Sequence, residues 1–462
     1  MQSRRYDPAG VSVRSWLIVL MTIALTGCVR AQDVRHLTPS ECVEIALERH
    51  GDVRMADYRR NQAEAVYDEA RTFRLPTFRV SASYRRLSSN VTTFTLDENV
   101  FDGDTTPIQD LNFDASLQDQ YAVRGDVEQT LFSAGQTRSQ IEAEHQLTLA
   151  QEHRASAVRR NVAHRVRLAY WSLVAAEASR DVARSARREV DEQLRVTRAR
   201  YRQGMALRSD VLALEARASE LRAEQRNADA AVASGRRLLS DRMGLDQGVI
   251  VRPTTRTFPL RPIRETTSEL FAVAVAMRPD LEAEDHTVSA WRNRSRANRR
   301  ARWPTISLVG SYVYARPNLA MFPQEDRFQG TWEVGVQMNV DLWDWNRQGH
   351  RAQQFEATWM EAREQQRQMR RRIRLQVADA VEEVHRSVDV LHAARERKRA
   401  AAEVFRVMRR RHAEGVALTT EVLSSERAYR EARYATVEAE ARYAQAHAGL
   451  DLAVGKPPST PE

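Results

Sequence analysis

Apolar residues recur along this chain with two different periods, and the two follow one another in a fixed order. Trp332, Val334, Val336, Met338, Val340 and Leu342 alternate with Glu333, Gly335, Gln337, Asn339 and Asp341, a period of two that predicts a strand with one wholly apolar face. Phe78, Val80, Ala82 and Tyr84 alternate likewise with Arg79, Ser81, Ser83 and Arg85, and Tyr121, Val123, Gly125 and Val127 with Ala122, Arg124, Asp126 and Glu128. A fourth strand over Ile306 to Tyr314 is less regular, because Val309 and Val313 fall on its second face. Elsewhere the period is near 3.6: Val158, Val162, Val166, Ala169, Leu173, Ala176, Ala183, Ala186, Val190, Leu194 and Tyr201 form one seam. No proline occurs from Asp110 to Arg252 or from Gln324 to Lys456. An interior proline would cost a helix about 3 kcal/mol, so both blocks permit very long helices. One is predicted over Ala134 to Gln203, roughly 105 Å long at about 1.5 Å per residue. Shorter helices are predicted over Pro39 to Thr72 and Thr267 to Arg300.

The whole pattern occurs twice. Arg74-Leu75-Pro76-Thr77-Phe78 returns as Arg302-Trp303-Pro304-Thr305-Ile306 at a spacing of 304 − 76 = 228, as does Ser83-Tyr84 in Ser311-Tyr312. Beyond that point Leu131-Phe132 returns as Leu342-Trp343, Gly204 as Gly415 and Asp210-Val211-Leu212 as Glu421-Val422-Leu423, at 342 − 131 = 211. The single register change of 17 residues, 228 − 211, falls between Tyr84 and Leu131. A surface loop absorbs such an insertion and a core element does not. The chain therefore reads as a tandem duplication: a first repeat over 28–260 and a second over 261–456, with a short tail over 457–462. Each repeat should contain a long antiparallel helical hairpin. Its first helix ends at Gly204 or Gly415, residues suited to the left-handed position after a helix. The return helix has Ser209 or Thr420 as expected N-cap, followed by the acidic Asp210 or Glu421.

Composition narrows the class. At 462 residues, 29% charged and mean hydropathy −0.58, the chain is not a helical membrane protein. The formal charge of +9 comes almost wholly from arginine spread beside Glu and Asp along the helical segments. No aromatic-basic cluster accompanies it, so nucleic acid is not the expected partner. Residues 1–27 read as an export signal, with Arg4, Arg5 and Arg14 before the apolar run Trp16 to Leu25. Leu25-Thr26-Gly27-Cys28 follows, which matches a bacterial lipobox and makes Cys28 the expected acylation site; cleavage after Ala31 is the alternative. Several acyl chains together anchor a protein stably. With export, strands of this length and alternation read as membrane-spanning, and Trp303, Trp332 and Trp343 sit near their ends. Arg124, Asp126, Glu128, Glu333 and Asp341 should then face a water-filled lumen. Four strands cannot close a barrel and lipid does not tolerate open sheet edges, so the chain must pair with copies of itself. Three copies of a twofold repeat give a strand barrel continued by a cylinder of helices.

Catalytic signatures are missing: there is no His-Glu-x-x-His, Gly-x-Ser-x-Gly or phosphate loop. The 11 histidines are scattered, and His385 with His392, seven apart, reads as a solvated helix face. No enzyme activity, cofactor or metal is expected. A periplasmic adaptor would carry one hairpin flanked by Gly-rich β-domains, and a structural coiled-coil lipoprotein of the envelope would lack strands. Two hairpins and four strands argue against both.

At this point the residues resemble the TolC-type outer-membrane efflux proteins, and among them the acylated branch with a lipobox. The resemblance spans essentially the whole mature chain. It rests on the duplicated strand-helix layout, on Arg278-Pro279-Asp280-Leu281 opening the second repeat, and on Tyr201-Arg202-Gln203-Gly204 with Asp210-Val211-Leu212. It implies a mainly α fold with membrane β-strands: a homotrimer with a 12-stranded β-barrel in outer-membrane lipid and a long periplasmic α-helical barrel. Such proteins are passive exit ducts for tripartite efflux or type I secretion, working with a periplasmic adaptor and an inner-membrane RND or ABC transporter. The resemblance makes Tyr201, Asp210, His412 and Glu421 gate candidates at the periplasmic tips. His412 departs from the pattern, standing where the first copy has Tyr201, and Ser424 stands at a place that is often a carboxylate. A weaker or pH-sensitive closed state is expected. Gly204, Ala206, Leu207, Gly415, Ala417 and Leu418 are the expected adaptor-docking residues, with Ala206, Leu207, Ala417 and Leu418 forming an exposed apolar pair at each tip.

Overall fold

The computed structural model describes residues 34–88, 118–246, 249–255, 258, 262–321 and 325–457. The export segment, Cys28 and the last five residues of the tail lie outside them. In chain order the elements of the first repeat are β1 (Val34–Leu37), α1 (Pro39–Arg49), α2 (Gly51–Thr72), β2 (Thr77–Arg86), β3 (Asp119–Phe132), α3 (Gln136–Arg202) and α4 (Arg208–Arg242). Then come β4 (Ile250–Pro253), α5 (Thr267–Met277), α6 (Pro279–Arg300), β5 (Thr305–Arg316), β6 (Gln329–Asn339), α7 (Arg347–Ala413) and α8 (Thr419–Val454). The duplication preserves helix length in three of the four pairs and differs by one residue in the last, 35 in α4 against 36 in α8. Both α1 and α5 have 11 residues, α2 and α6 have 22, and α3 and α7 have 67.

The sheet has the antiparallel order β2-β3-β5-β6. Its register sets Arg79 against Asp126, Asp126 against Ser311 and Ser311 against Glu333, so these side chains share one face. On the other face Val80 opposes Gly125, Gly125 opposes Tyr312 and Tyr312 opposes Trp332. Phe78, Val80, Trp332, Val334, Val336 and Met338 on this second face are all exposed, Trp332 to 76%. Strands of 10 to 14 residues are long enough to cross a bilayer when tilted. Leu131, Phe132, Trp303, Leu342, Trp343 and Trp345 project at the junction with the helices, where an aromatic belt at a membrane surface belongs. β6 stops at Asn339, short of the expected Leu342. Asp341 therefore lies in the link to α7, 3.4 Å from Arg347. Among the described residues, the outer strands β2 and β6 each leave one edge without a partner in the sheet.

The turn from strand to long helix is built alike in both repeats. Ala134 and Gly135 have φ of 49° and 78°, and their counterparts Trp345 and Asn346 have 54° and 62°. Two successive left-handed residues mark the change from strand to helix and set the start of α3 at Gln136, two residues after the expected Ala134.

The two short helical segments are each divided, which the apolar pattern did not show. Between α5 and α6 the cause is Pro279, which forces the preceding Arg278 into an extended conformation (ψ 115°). Between α1 and α2 there is no proline. His50 adopts ψ 132° instead, and its Nδ1 accepts a hydrogen bond from the Asp52 N–H at 3.1 Å, an N-cap in the middle of the segment.

α3 is the axis of the packing. It lies against α2 and α6 near the strands and against α4 and α8 toward the tip. Midway, Tyr170, Trp171 and Leu173 form a core with Cys42, Val43, Leu239 and Met243. Tyr170 Oη donates to Leu37 O and accepts from Thr255 N, both at 3.2 Å. That contact ties the core to a two-stranded parallel pair of β1 and β4, which sequence periodicity did not reveal. Cys42 is fully buried there and burial pushes its thiol pKa up to about 12, so it is an inert thiol. The second repeat has its own core of Leu281, Ile373, Val377, Tyr443 and Val454.

Candidate functional site

Two features separate this molecule from an ordinary helical bundle: the pair of hairpin tips and the polar contacts between the repeats. At the first tip Gly204, at φ 72°, follows the end of α3. Its N–H donates to Tyr201 O at 3.0 Å and Met205 N–H donates to Arg200 O at 2.8 Å. At the second, Gly415 at φ 78° does the same toward His412 O, and Val416 N–H donates to Arg411 O at 2.8 Å. Both are six-to-one Schellman closures, for which a left-handed residue is required. A Cβ on either glycine would meet nothing within 4 Å, so strain is the only cost. Gly204→Ala and Gly415→Ala are each expected to destabilise by about 1 kcal/mol, measured by denaturant unfolding, without changing assembly.

The return helices begin two residues earlier than expected. Their N-caps are Leu207 and Leu418, which are extended (ψ 153° and 151°), and Ser209 and Thr420 lie inside the first turn. The acidic residues supply the capping that leucine cannot. Asp210 Oδ2 accepts from Leu207 N–H at 3.3 Å and Glu421 Oε2 from Leu418 N–H at 2.9 Å. Both gate-candidate carboxylates are thus engaged in holding a helix start. Tyr201 is half exposed in the last turn of α3. Its counterpart His412 is half-buried, with Nε2 3.2 Å from Thr419 Oγ1.

Only the leucine of each expected exposed apolar pair projects at the tips. Leu207 and Leu418 project, at 70% and 69% exposure, but Ala417 is only 9% exposed and Ala206 is intermediate. In an extended segment successive side chains point opposite ways, so the residue before each projecting leucine turns inward. The second projecting residue at each tip is Met205 or Val416, one turn position earlier. The Schellman closure gives the signal, since its hydrophobic residue follows the glycine directly.

Between the repeats lies a buried ionic cluster that no sequence motif marked. Glu426 of α8 accepts from Arg217 of α4 through Oε2, at 2.8 Å from Nη2 and 3.3 Å from Nε. Its Oε1 lies 3.5 Å from Arg430 Nε. The Arg217 and Glu426 side chains are 6% and 5% exposed. Arg217 also donates to Glu220 at 2.8 Å, and Arg430 reaches Glu224. Burial alone would lower the Arg217 pKa, but its bonds to Glu426 and Glu220 outweigh burial and raise it. The cluster breaks the repeat. Glu215, at 426 − 215 = 211, is the counterpart of Glu426, yet it pairs with Arg198 within its own hairpin at 2.7 Å.

On the polar face of the sheet Arg124 Nε donates to Asp126 at 2.7 Å and lies 4.0 Å from Glu333, which accepts from Ser311 Oγ at 2.9 Å. These paired charges are exposed on the surface of the sheet. His385 and His392 are both exposed on α7, as a solvated face requires.

Comparison with known proteins bears on these features directly. A family model described as outer membrane efflux protein matches residues 42–239 and 270–456. Among solved structures, CusC superposes with a TM-score of 0.75 at 18% identity, covering 90% of this chain and 92% of that one. The outer membrane protein VceC of Vibrio cholerae gives 0.70 at 18% identity, covering 90% and 96%. The MtrE outer membrane channel of Neisseria gonorrhoeae, in its open state, gives 0.71 at 20% identity, covering 90% and 88%. No curated protein matches by sequence at a significant level.

Proposed function

The chain belongs to the outer membrane efflux protein family, and from that premise we propose that three copies form the exit duct of a tripartite efflux or type I secretion system. Family membership makes it an outer-membrane channel and not an enzyme. The observation that carries the trimer is the sheet: four antiparallel strands with one exposed apolar face and two unpaired edges. Lipid forbids such edges. Three copies supply twelve strands and leave none open, while the paired 67-residue helices continue the wall as a tube of roughly 100 Å. Substrate would pass by diffusion along a water-filled lumen faced by Arg124, Asp126, Glu128 and Glu333. Acylation of Cys28 would add a lipid anchor to the barrel's own hold on the outer membrane.

The tips are the proposed docking site for a periplasmic adaptor fed by an inner-membrane RND or ABC transporter. Gly204 and Gly415 keep each turn narrow, and Met205, Leu207, Val416 and Leu418 offer exposed apolar surface. A photo-cross-linking residue in place of Leu207 in intact cells tests this. Capture of a periplasmic adaptor is the expected result; capture of neighbouring copies of this chain alone would remove docking from the tip.

In the closed duct, Tyr201, Asp210, His412 and Glu421 would line the constriction, the two acids serving as helix caps at the same time. The His412–Thr419 contact holds the second tip by a polar bond where the first has a tyrosine. His412→Ala, which removes that bond, is expected to raise the conductance of the closed duct, and an unchanged closed-state conductance would sink that role.

A further inference from the structure

Where α3 of the first repeat meets α6 of the second, three potential ligands converge. His153, Glu282 and His286 each bring one donor atom within 4.8 Å of the others. Glu282 and His286 are four residues apart on α6 and therefore stand on one face of the helix. His153 comes from α3, roughly 25 Å along the helix from its strand end. Its Nδ1 lies 3.2 Å from Glu282 Oε2, and its ring stacks on that of His286 with centroids 5.2 Å apart and an interplanar angle of 14°. Donors at about 2.0 to 2.1 Å around a tetrahedral zinc are separated by about 3.3 Å, so one pair already stands at ligand spacing.

The surroundings favour a metal over a simple ion pair. His286 Nδ1 is 2.8 Å from Gln146 Oε1. With Nδ1–H donating to that amide oxygen, Nε2 keeps its lone pair for a cation, the outer-shell arrangement that fixes the tautomer of ligating histidines. Arg154, the nearest cation in sequence, is occupied elsewhere: it donates to Thr287 Oγ1 at 3.0 Å and lies 3.6 Å from Glu284. Both imidazoles are half-buried and Glu282 is open to solvent, which leaves an entry path and room for water.

We propose that His153, Glu282 and His286 form a site for a divalent first-row transition metal of the zinc type, completed by water, that clasps the two repeats together. Two nitrogens and one carboxylate suit zinc and copper and discriminate against magnesium and calcium. The site is specific to one interface. At the counterpart positions the duplicated chain has Arg54 (282 − 228), Tyr58 (286 − 228) and Glu364 (153 + 211), a set that cannot chelate. Every ligand comes from one chain, so the site does not require the trimer.

The test uses the full-length protein in detergent, stripped by chelator and then dialysed against zinc or cobalt(II). One zinc per chain is expected beyond that held by His286→Gln and by His153→Gln, with both variants eluting as wild type on size exclusion. Gln146→Leu should weaken affinity about 10- to 100-fold, and His385→Gln, on an exposed face, should change nothing. Cobalt should give the strong visible absorption of a four-coordinate site in wild type and His385→Gln, and not in His153→Gln or His286→Gln. Equal zinc content in wild type and both histidine variants, or no zinc retained by wild type, would overturn the proposal.

Discussion

Glu426→Ala is expected to destabilise the folded chain by about 3 kcal/mol, because removing the buried carboxylate leaves two buried guanidiniums facing one another, each keeping only a more exposed glutamate, Glu220 for Arg217 and Glu224 for Arg430. Arg217 and Arg430 both lie against Glu426, and all three are under one-tenth exposed. Neither guanidinium can shed its charge near neutral pH. The repeat provides an internal control. Glu215 occupies the equivalent position and pairs with Arg198, but their side chains are 39% and 51% exposed. Glu215→Ala should therefore cost under about 1 kcal/mol. Denaturant unfolding of the two variants side by side measures the difference. Equal effects would mean that the cluster is hydrated in the assembled protein and does not hold the hairpins together.

The second large effect is expected on the sheet. Val336→Arg should cost about 2 to 4 kcal/mol in a bilayer, the penalty for a cation facing lipid near the midplane of a strand barrel. Val336 pairs with Leu308 and stands between Val334 and Met338 on the apolar face. Gln337→Arg, one residue along, points the other way and should cost close to nothing. The comparison is read as folded fraction in urea after reconstitution. If both substitutions were tolerated, the apolar face would not meet lipid.

The strands were legible in the sequence almost residue by residue. A sheet with one face in lipid and one in water imposes strict alternation, and no residue from Trp332 to Asn339 breaks it. The long helices were legible because proline is excluded from them and because glycine marks each tip. Errors arose where a single backbone conformation decides the structure. Arg278 is made extended by the proline after it, whereas His50 is made extended by a cap that its own side chain forms with Asp52. The tips misled for a similar reason: the helix starts at a leucine whose carboxylate cap comes three residues later, which reversed the orientation assigned to Ala417. The β1–β4 pair, the Arg217–Glu426 contact and the contacts of His153 with Glu282 and His286 join residues 129 to 216 positions apart, from 282 − 153 = 129 to 250 − 34 = 216. Their contacts depend on how α3 packs against α6, α4 and α8, and no local pattern encodes that.

The duct itself is tested most directly by single-channel recording in planar bilayers with cysteines on adjacent residues of β6. The purified protein should insert with uniform conductance steps. A bulky thiol reagent should reduce the step for Glu333→Cys, on the polar face, and leave it unchanged for Val334→Cys, on the apolar face; the native Cys42 is buried and does not interfere. Absence of discrete steps, or equal block through both positions, would contradict a strand barrel whose polar face lines a water-filled passage.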